Sequence, residues 1–306
     1  MFFYFFKRLL LSIPVMFVVV TLVFFLLRLI PGDPIDFILG ETAPQADRLA
    51  LVTSQGFDEP LLKQYSHFLK DIFEGNLGQS YFTRKSVGDL IGERYPQTVK
   101  LALVAMVWAI LFSIPTGVFA SVLRGKFFDR LLLALSLVGI SVPSFYLGPL
   151  LVLLFSIKLD WFPASGQDLS GSIILPSLTL GLAMAAILTR MTRSSMLDIL
   201  NSDYVRTARA KGLSFFKVVF KHALGNALVP IVSLIALQFG TLLAGAIVTE
   251  KIFSWPGLGS LLLESIGRRD YAVVQGCLMV IALAYVVVNL LADLVLTKID
   301  PRIRLK

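Results

Sequence analysis

Apolar side chains in this chain run in long unbroken stretches rather than in the alternating or one-sided patterns of a soluble fold. The segments 9–27, 101–123, 131–157, 169–189, 222–249 and 271–292 contain no Asp, Glu, Lys or Arg. A helix rises about 1.5 Å per residue, so roughly 20 apolar residues cross a hydrocarbon layer of about 30 Å. Each stretch reaches that length, and together they predict an all-α polytopic membrane protein with six transmembrane helices. A soluble helical protein would need polar faces that these stretches lack. The first stretch follows Lys7 and Arg8 as a secretory signal would, yet it is longer than a signal's apolar core of about 7–15 residues. It also ends in Arg28-Leu29-Ile30-Pro31-Gly32 rather than in the small residues of a cleavage site, so it reads as a retained span.

Composition and charge fix the surroundings and the orientation. Hydrophobic residues make up 56% of the 306 and charged residues 16%, against about 25% charged in a soluble domain. Six spans put both termini on one side. With that side cytoplasmic, Lys7, Arg8, Arg124, Lys126, Arg130, Arg190, Arg193, Arg206, Arg209, Lys211, Lys217, Lys221, Lys298, Arg302, Arg304 and Lys306 lie inside, against the acids Asp129, Asp198, Asp203 and Asp300. Basic residues collect on the cytoplasmic side of membrane proteins, so the net charge of +8 is a topology signal and both termini are expected in the cytoplasm. No basic stripe with interleaved aromatics points to nucleic acid. Cys277 is the lone cysteine, and His67 and His222 have no Cys or His at ligand spacing, so neither an internal disulfide nor a metal site is expected.

The chain divides into a tail and first span (1–30), an extracytoplasmic segment (31–97), and a five-helix core (98–306) that includes a cytoplasmic loop at 190–221. Pro31-Gly32-Asp33-Pro34 is turn chemistry that ends the first span. Leu61, Leu62, Tyr65, Phe68, Leu69, Ile72 and Phe73 recur at three- and four-residue steps and predict an amphipathic helix in a small folded cap, closed by Gly75-Asn76-Leu77-Gly78. Pro14, Pro115 and Pro143 fall inside spans and Pro176 early in the fourth. Proline is common in membrane helices, and Ser141-Val142-Pro143-Ser144, with its flanking hydroxyls, is the best candidate for a functional break. Asp270, ahead of Tyr271-Ala272-Val273, is expected to cap the sixth span.

The loop between the fourth and fifth spans carries the most information. Asp203, Tyr204, Val205, Arg206, Thr207, Ala208, Arg209, Ala210, Lys211 and Gly212 spell a short helix with both ends marked. Asp203 suits the N-cap and the positive end of the dipole. Ala208 and Ala210 favour helix, Lys211 suits the last turn, and Gly212 can take the left-handed stop. Ser214 offers a cap for the helix that leads through 215–224 into the fifth span. This is a basic helix on the ends of two spans, with small residues that admit close approach by another protein. A solvated positive loop is the alternative reading on charge alone.

The same residues resemble the cytoplasmic EAA loop of ABC-importer permeases, patterned E-A-A, three residues, Gly, about nine residues, then I-x-L-P. Gly212 matches the glycine, Arg206-Thr207-Ala208 stand at E-A-A, and His222-Ala223-Leu224-Gly225 at I-x-L-P. One branch, the dipeptide/oligopeptide/nickel permeases, carries R-T-A-R-A-K-G here, and the chain is similar to it along nearly its whole length. The resemblance includes Arg28-Leu29-Ile30-Pro31-Gly32-Asp33-Pro34, Gly78-Gln79-Ser80, Arg94-Tyr95-Pro96-Gln97-Thr98, Ser141-Val142-Pro143-Ser144-Phe145 and Ile174-Leu175-Pro176-Ser177. It continues through Asn226-Ala227-Leu228-Val229-Pro230, Glu250-Lys251-Ile252-Phe253, Pro256-Gly257-Leu258-Gly259, Arg269-Asp270-Tyr271 and Ile299-Asp300-Pro301-Arg302-Ile303-Arg304. Within the branch the chain looks most like the subunit with the long first outside segment, as in dipeptide and glutathione importers.

The resemblance implies a type I importer permease fold in a bacterial or archaeal plasma (inner) membrane. It implies a second homologous permease subunit, cytoplasmic ABC ATPase subunits docked on residues 203–212, and an extracytoplasmic substrate-binding protein that delivers a peptide-like substrate. ATP and Mg would then sit on the partner ATPase, with no cofactor on this chain. No G-x-x-x-x-G-K-[ST] occurs in the sequence, so the loop that cradles ATP phosphates must come from another polypeptide. The rival readings are an ion-gradient-driven carrier and a channel. A carrier places ionisable groups near the midplane, and only Asp293, one turn after Asn289, approaches that description, near the inner end of the last span. The substrate-contact residues are not legible in the sequence.

Overall fold

The computed structural model describes residues 2–29, 35, 39 and 44–299. The helices are α1 (Phe2–Leu29), α2 (Gln45–Gln55), α3 (Leu61–Phe73), α4 (Val87–Val122), α5 (Phe127–Ser141) and α6 (Ser144–Leu151), which runs on as a π-helix (Val152–Lys158). They continue with α7 (Ile174–Leu200), α8 (Asp203–Ala210), a π-helix (Lys217–Leu224) leading into α9 (Gly225–Gly245), α10 (Ile247–Ile252), α11 (Leu258–Gly267) and α12 (Tyr271–Ile299). Among the described residues the β pairing is one isolated bridge, Gln79 to Ser86. The predicted turn at Pro31-Gly32-Asp33-Pro34 and the closing segment from Asp300 onward lie outside the described residues.

Among the described residues five stretches are long and apolar enough to cross a membrane: Leu10–Leu29, Val87–Val122, Ile174–Leu200, Lys217–Leu243 and Tyr271–Val295. The third predicted span is the pair α5 and α6, bent by 104°. Its break falls at Val142-Pro143, where the sequence placed it. Pro143 has no N–H to continue the ladder, the Ser141 hydroxyl turns back to the Leu137 carbonyl at 2.9 Å, and the Tyr146 and Leu147 N–H groups restart the helix on the Pro143 carbonyl. The pair still crosses the bundle. The ends of α4 and α7 meet on one face, where Ser121, Arg124, Leu197 and Asn201 line a common pocket, whereas the Gly166 N–H after the π-helix donates to the Phe253 carbonyl beside α10 on the opposite face.

The centre of the fold is the α4–α7 pair, and small side chains make it possible. Ala105, Ala109, Ser113 and Gly117 form a buried row on α4 at four-residue steps, facing Gly181, Ala185, Thr189 and Thr192 of α7. A Cβ at Gly181 would lie 2.7 Å from the Ala105 carbonyl oxygen, and one at Gly117 2.5 Å from Thr192 Cβ. Such close approach lets dispersion bind helices where the lipid is as apolar as the side chains. α4 has 36 residues, about 54 Å at about 1.5 Å each, so it stands well clear of a hydrocarbon layer of about 30 Å. Its extra turns begin at Val87, before the apolar run opens, and are buried by Val87 and Ile91 against α11 and α12.

α3 matches the amphipathic pattern but is less buried than its stripe suggests. Tyr65 and Phe68 pack on Phe24 of α1 with ring centroids 5.1 and 5.2 Å apart, and the Tyr65 hydroxyl lies 2.6 Å from Thr21 Oγ1. Leu61, Leu62 and Phe73 remain exposed. The Asp270 expectation needs correction. Its carbonyl accepts the Val274 N–H at 3.0 Å, as an N-cap residue's does, but its carboxylate accepts the Ser80 hydroxyl at 2.6 Å. The side chain thus ties the 78–86 turn to the start of α12 instead of capping it.

Candidate functional site

α7 runs past its apolar stretch to Leu200 and turns at Asn201-Ser202 into α8. Ser202, in extended conformation, stands at the N-cap, and its carbonyl accepts the N–H groups of Val205 and Arg206 at 3.2 Å. Asp203 is therefore the first helical residue rather than the cap the sequence suggested. Its exposed carboxylate lies 3.5 Å from Arg206, so it acts on the helix through charge at the positive end of the dipole. Gly212 has φ +75° and closes the helix as predicted: its N–H donates to the Arg209 carbonyl at 3.0 Å, and the Leu213 N–H to that of Ala208 at 3.4 Å. A Cβ at Gly212 would meet nothing within 4 Å, so the glycine serves backbone conformation and not space.

The two faces of α8 differ in kind. Val205 and Ala208 are buried with Val218, against Ile199, Leu200 and Leu213. Ala208 therefore belongs to the attachment of α8 to its own stems and is not part of the free surface expected for a partner. Asp203, Tyr204, Arg206, Thr207, Arg209, Ala210, Lys211 and Gly212 are exposed. A polar link adds to the apolar attachment. In the π-helix that follows, the His222 carbonyl accepts the Asn226 side-chain amide at 2.9 Å, and that amide also donates to the Tyr204 hydroxyl at 3.0 Å. Bonds of the i→i+5 kind leave a ladder group free for such use. The result is a short, cationic helix fixed to the ends of both the fourth and the fifth span. Its apolar face is consumed internally and its charged face is open.

The opposite face gathers motif residues for which the sequence offered no role. Glu250 is fully buried. Its Oε1 accepts the Thr98 hydroxyl at 2.6 Å and its Oε2 the Ser260 N–H at 2.9 Å. Thr98 Oγ1 in turn accepts the Leu258 N–H at 2.8 Å, and the Trp255 indole N–H donates to the Gln97 carbonyl at 3.0 Å. A side chain at Gly257 would overlap the Glu250 carboxylate, and a Cβ at Gly259 would lie 2.6 Å from Ile247 Cα. Burial pushes the Glu250 carboxyl above the ordinary glutamate range, opposed by the Thr98 hydroxyl, the Ser260 and Gly259 N–H groups and Arg94. The available signal was an acid just past an apolar span, followed by two glycines that leave room for it. Among the described residues no group of three or more His, Cys, Asp or Glu could hold a metal.

A helical bundle with a broken third crossing and a rigid charged helix between its fourth and fifth crossings defines the permease subunit of an ABC importer. Residues 113–305 match the family described as "Binding-protein-dependent transport system inner membrane component", and residues 1–102 match its N-terminal region; the chain belongs to this family. It is 45% identical over 306 residues, 99% of either chain, to the glutathione transport system permease protein GsiC of Escherichia coli O6:H1 and to that of Salmonella typhimurium. An inward-facing structure of the MetNI methionine ABC transporter superposes with a TM-score of 0.59 at 18% identity, covering 69% of this chain and 96% of that one. At that identity the likeness concerns the fold.

Proposed function

We propose that this chain forms half of the translocation pathway of an ATP-driven importer for peptide-like substrates, di- or oligopeptides or glutathione. In this reading α8 faces the cytoplasm, both termini lie on that side, and a separate ATPase carrying ATP and Mg grips residues 203–212. A second permease of the same family completes the pathway, and a substrate-binding protein delivers cargo to the face that carries α10 and α11. The observation that carries the reading is the construction of α8. Its charged face is free, while Val205, Ala208 and Tyr204 fix it to the stems of two spans, so a force applied to it moves those spans rather than the loop alone. Identity of 45% over the full length to permeases named for glutathione transport supports the substrate class.

Reconstituted vesicles holding the complete complex test the proposal. Uptake of glutathione or a dipeptide is expected only with ATP on the α8 side and binding protein on the other. Uptake by this chain driven by a proton gradient without ATP would overturn the reading in favour of a carrier.

A further inference from the structure

The first turn between spans on the α8 face is joined to α7 by an ion pair that lies outside α8 itself. Arg193 Nε donates to Asp129 Oδ1 at 2.6 Å and Nη2 to Oδ2 at 2.8 Å. The Gly125 N–H, from the left-handed turn between α4 and α5 (φ +78°), donates to the same Oδ2 at 2.8 Å. Asp129 is 3% exposed and Arg193 20%. Arg193 lies on the last turns of α7, directly ahead of Ile199 and Leu200, on which α8 packs. Asp129 lies in the first turn of α5, the helix that ends at the bend.

We infer that Asp129 and Arg193 are positioning residues for transport, a strut that makes α5 travel with the stem of α8. Three features point the same way. The two-pronged contact fixes distance and orientation together, which a single charge contact does not. A buried ion pair contributes little net stability compared with apolar residues of the same volume, so folding alone does not call for one here. And α5 has few other holds: Phe127, Phe128, Leu131, Leu135, Leu137 and Val138 are exposed, while its inner side rests on α7, where a Cβ at Gly139 would lie 3.0 Å from Ala186 Cβ. A displacement of α8 therefore reaches the bend at Val142-Pro143 through α7 and this pair. The inference rests on the reading of α8 as the ATPase dock.

Spin-label distances in the purified complex test it. In a Cys277→Ala background, labels on Asn201 at the α8 stem and on Leu137 of α5 are each measured against one on Leu291 of α12, without nucleotide and with ATP bound. In the parent, both the Asn201 and the Leu137 distances shift together. In Arg193→Lys, which keeps the charge and loses the fork, the Asn201 shift is expected to remain and the Leu137 shift to disappear. Should that variant fail to assemble, Asp129→Asn, which retains an acceptor for the Gly125 N–H, takes its place with the same expectation. Loss of assembly in both variants overturns the strut in favour of a purely structural pair. A Leu137 shift that survives, or that is missing from the parent, overturns it as well. The double variant Arg206→Glu, Arg209→Glu separates the two readings: if it keeps the ATPase bound during purification the dock itself is wrong, and if it loses the ATPase while Leu137 still moves in Arg193→Lys, only the strut fails.

Discussion

Thr98→Val isolates the polar node that holds the α10–α11 segment to α4. Valine matches threonine in shape but removes a hydroxyl that both donates to Glu250 and accepts from Leu258. Thr98, Glu250 and Leu258 are 2%, 0% and 1% exposed, so neither partner regains a bond from bulk water. A buried N–H left unpaired costs about 1–3 kcal/mol, and a charged acceptor costs more. The loss of both bonds should therefore destabilise the protein by about 3–5 kcal/mol, while Thr98→Ser, which keeps the oxygen and loses one methyl, should cost about 1 kcal/mol. Thermal unfolding of the detergent-solubilised protein reads the difference, and Trp255 fluorescence reports the node directly because its indole N–H is bonded to Gln97. The pH dependence is a second check. Glu250 titrates above 4.5 in the folded chain, so the stability it contributes is full below its unfolded pKa and is lost as pH rises through the folded value. Removing the Thr98 donor raises that folded value further. The deficit of Val relative to Ser should thus be smallest in acid, where Glu250 is protonated, and grow toward neutral pH. Equal stability of Val and Ser, or a deficit that does not change with pH, would refute the account.

Other substitutions probe the rest of the fold. Gly181→Val drives a branched side chain into the Ala105 carbonyl and Trp108, and should destabilise the α4–α7 pair by about 1–3 kcal/mol, seen as a lower unfolding temperature; an unchanged temperature would mean the helices separate freely. Gly212→Val places its Cβ in open space but must adopt φ near +75°, costing about 1–3 kcal/mol of local strain, so ATP-driven uptake should fall more than the yield of folded protein, and parallel losses would assign the glycine to folding alone. Asp270→Asn keeps an acceptor for the Ser80 hydroxyl and should fold like the parent, whereas Asp270→Ala strands that buried hydroxyl at about 1–3 kcal/mol; indistinguishable melting curves for the two variants would show that the Ser80 contact contributes nothing.

The arrangement of spans and of α8 could be read along the chain because the forces that set them are local. Unbroken apolar length fixes the crossings and Gly212 takes a left-handed conformation that other residues avoid, whereas the break at Pro143 is marked by its flanking hydroxyls as much as by the proline, since Pro14, Pro96, Pro115 and Pro230 sit inside continuous helices. Even here the cap shifted by one residue, from Asp203 to Ser202, because both are good caps and the choice depends on how α7 ends. Other features depend on partners distant in the sequence. Ala208 is small for the sake of Val218 and Leu200, Asp270 serves Ser80 across the fold, and Glu250 is tolerated in a dry place only because Thr98 and the N–H groups at the head of α11 converge on it. Sequence alone determined which segments enter the membrane and where the helices stop, since hydrophobic length and backbone permissiveness belong to single segments. Tertiary structure decided which polar groups share a buried site and which face of α8 stays open, since a partner distant in the sequence must arrive before a buried charge or a covered alanine has any meaning.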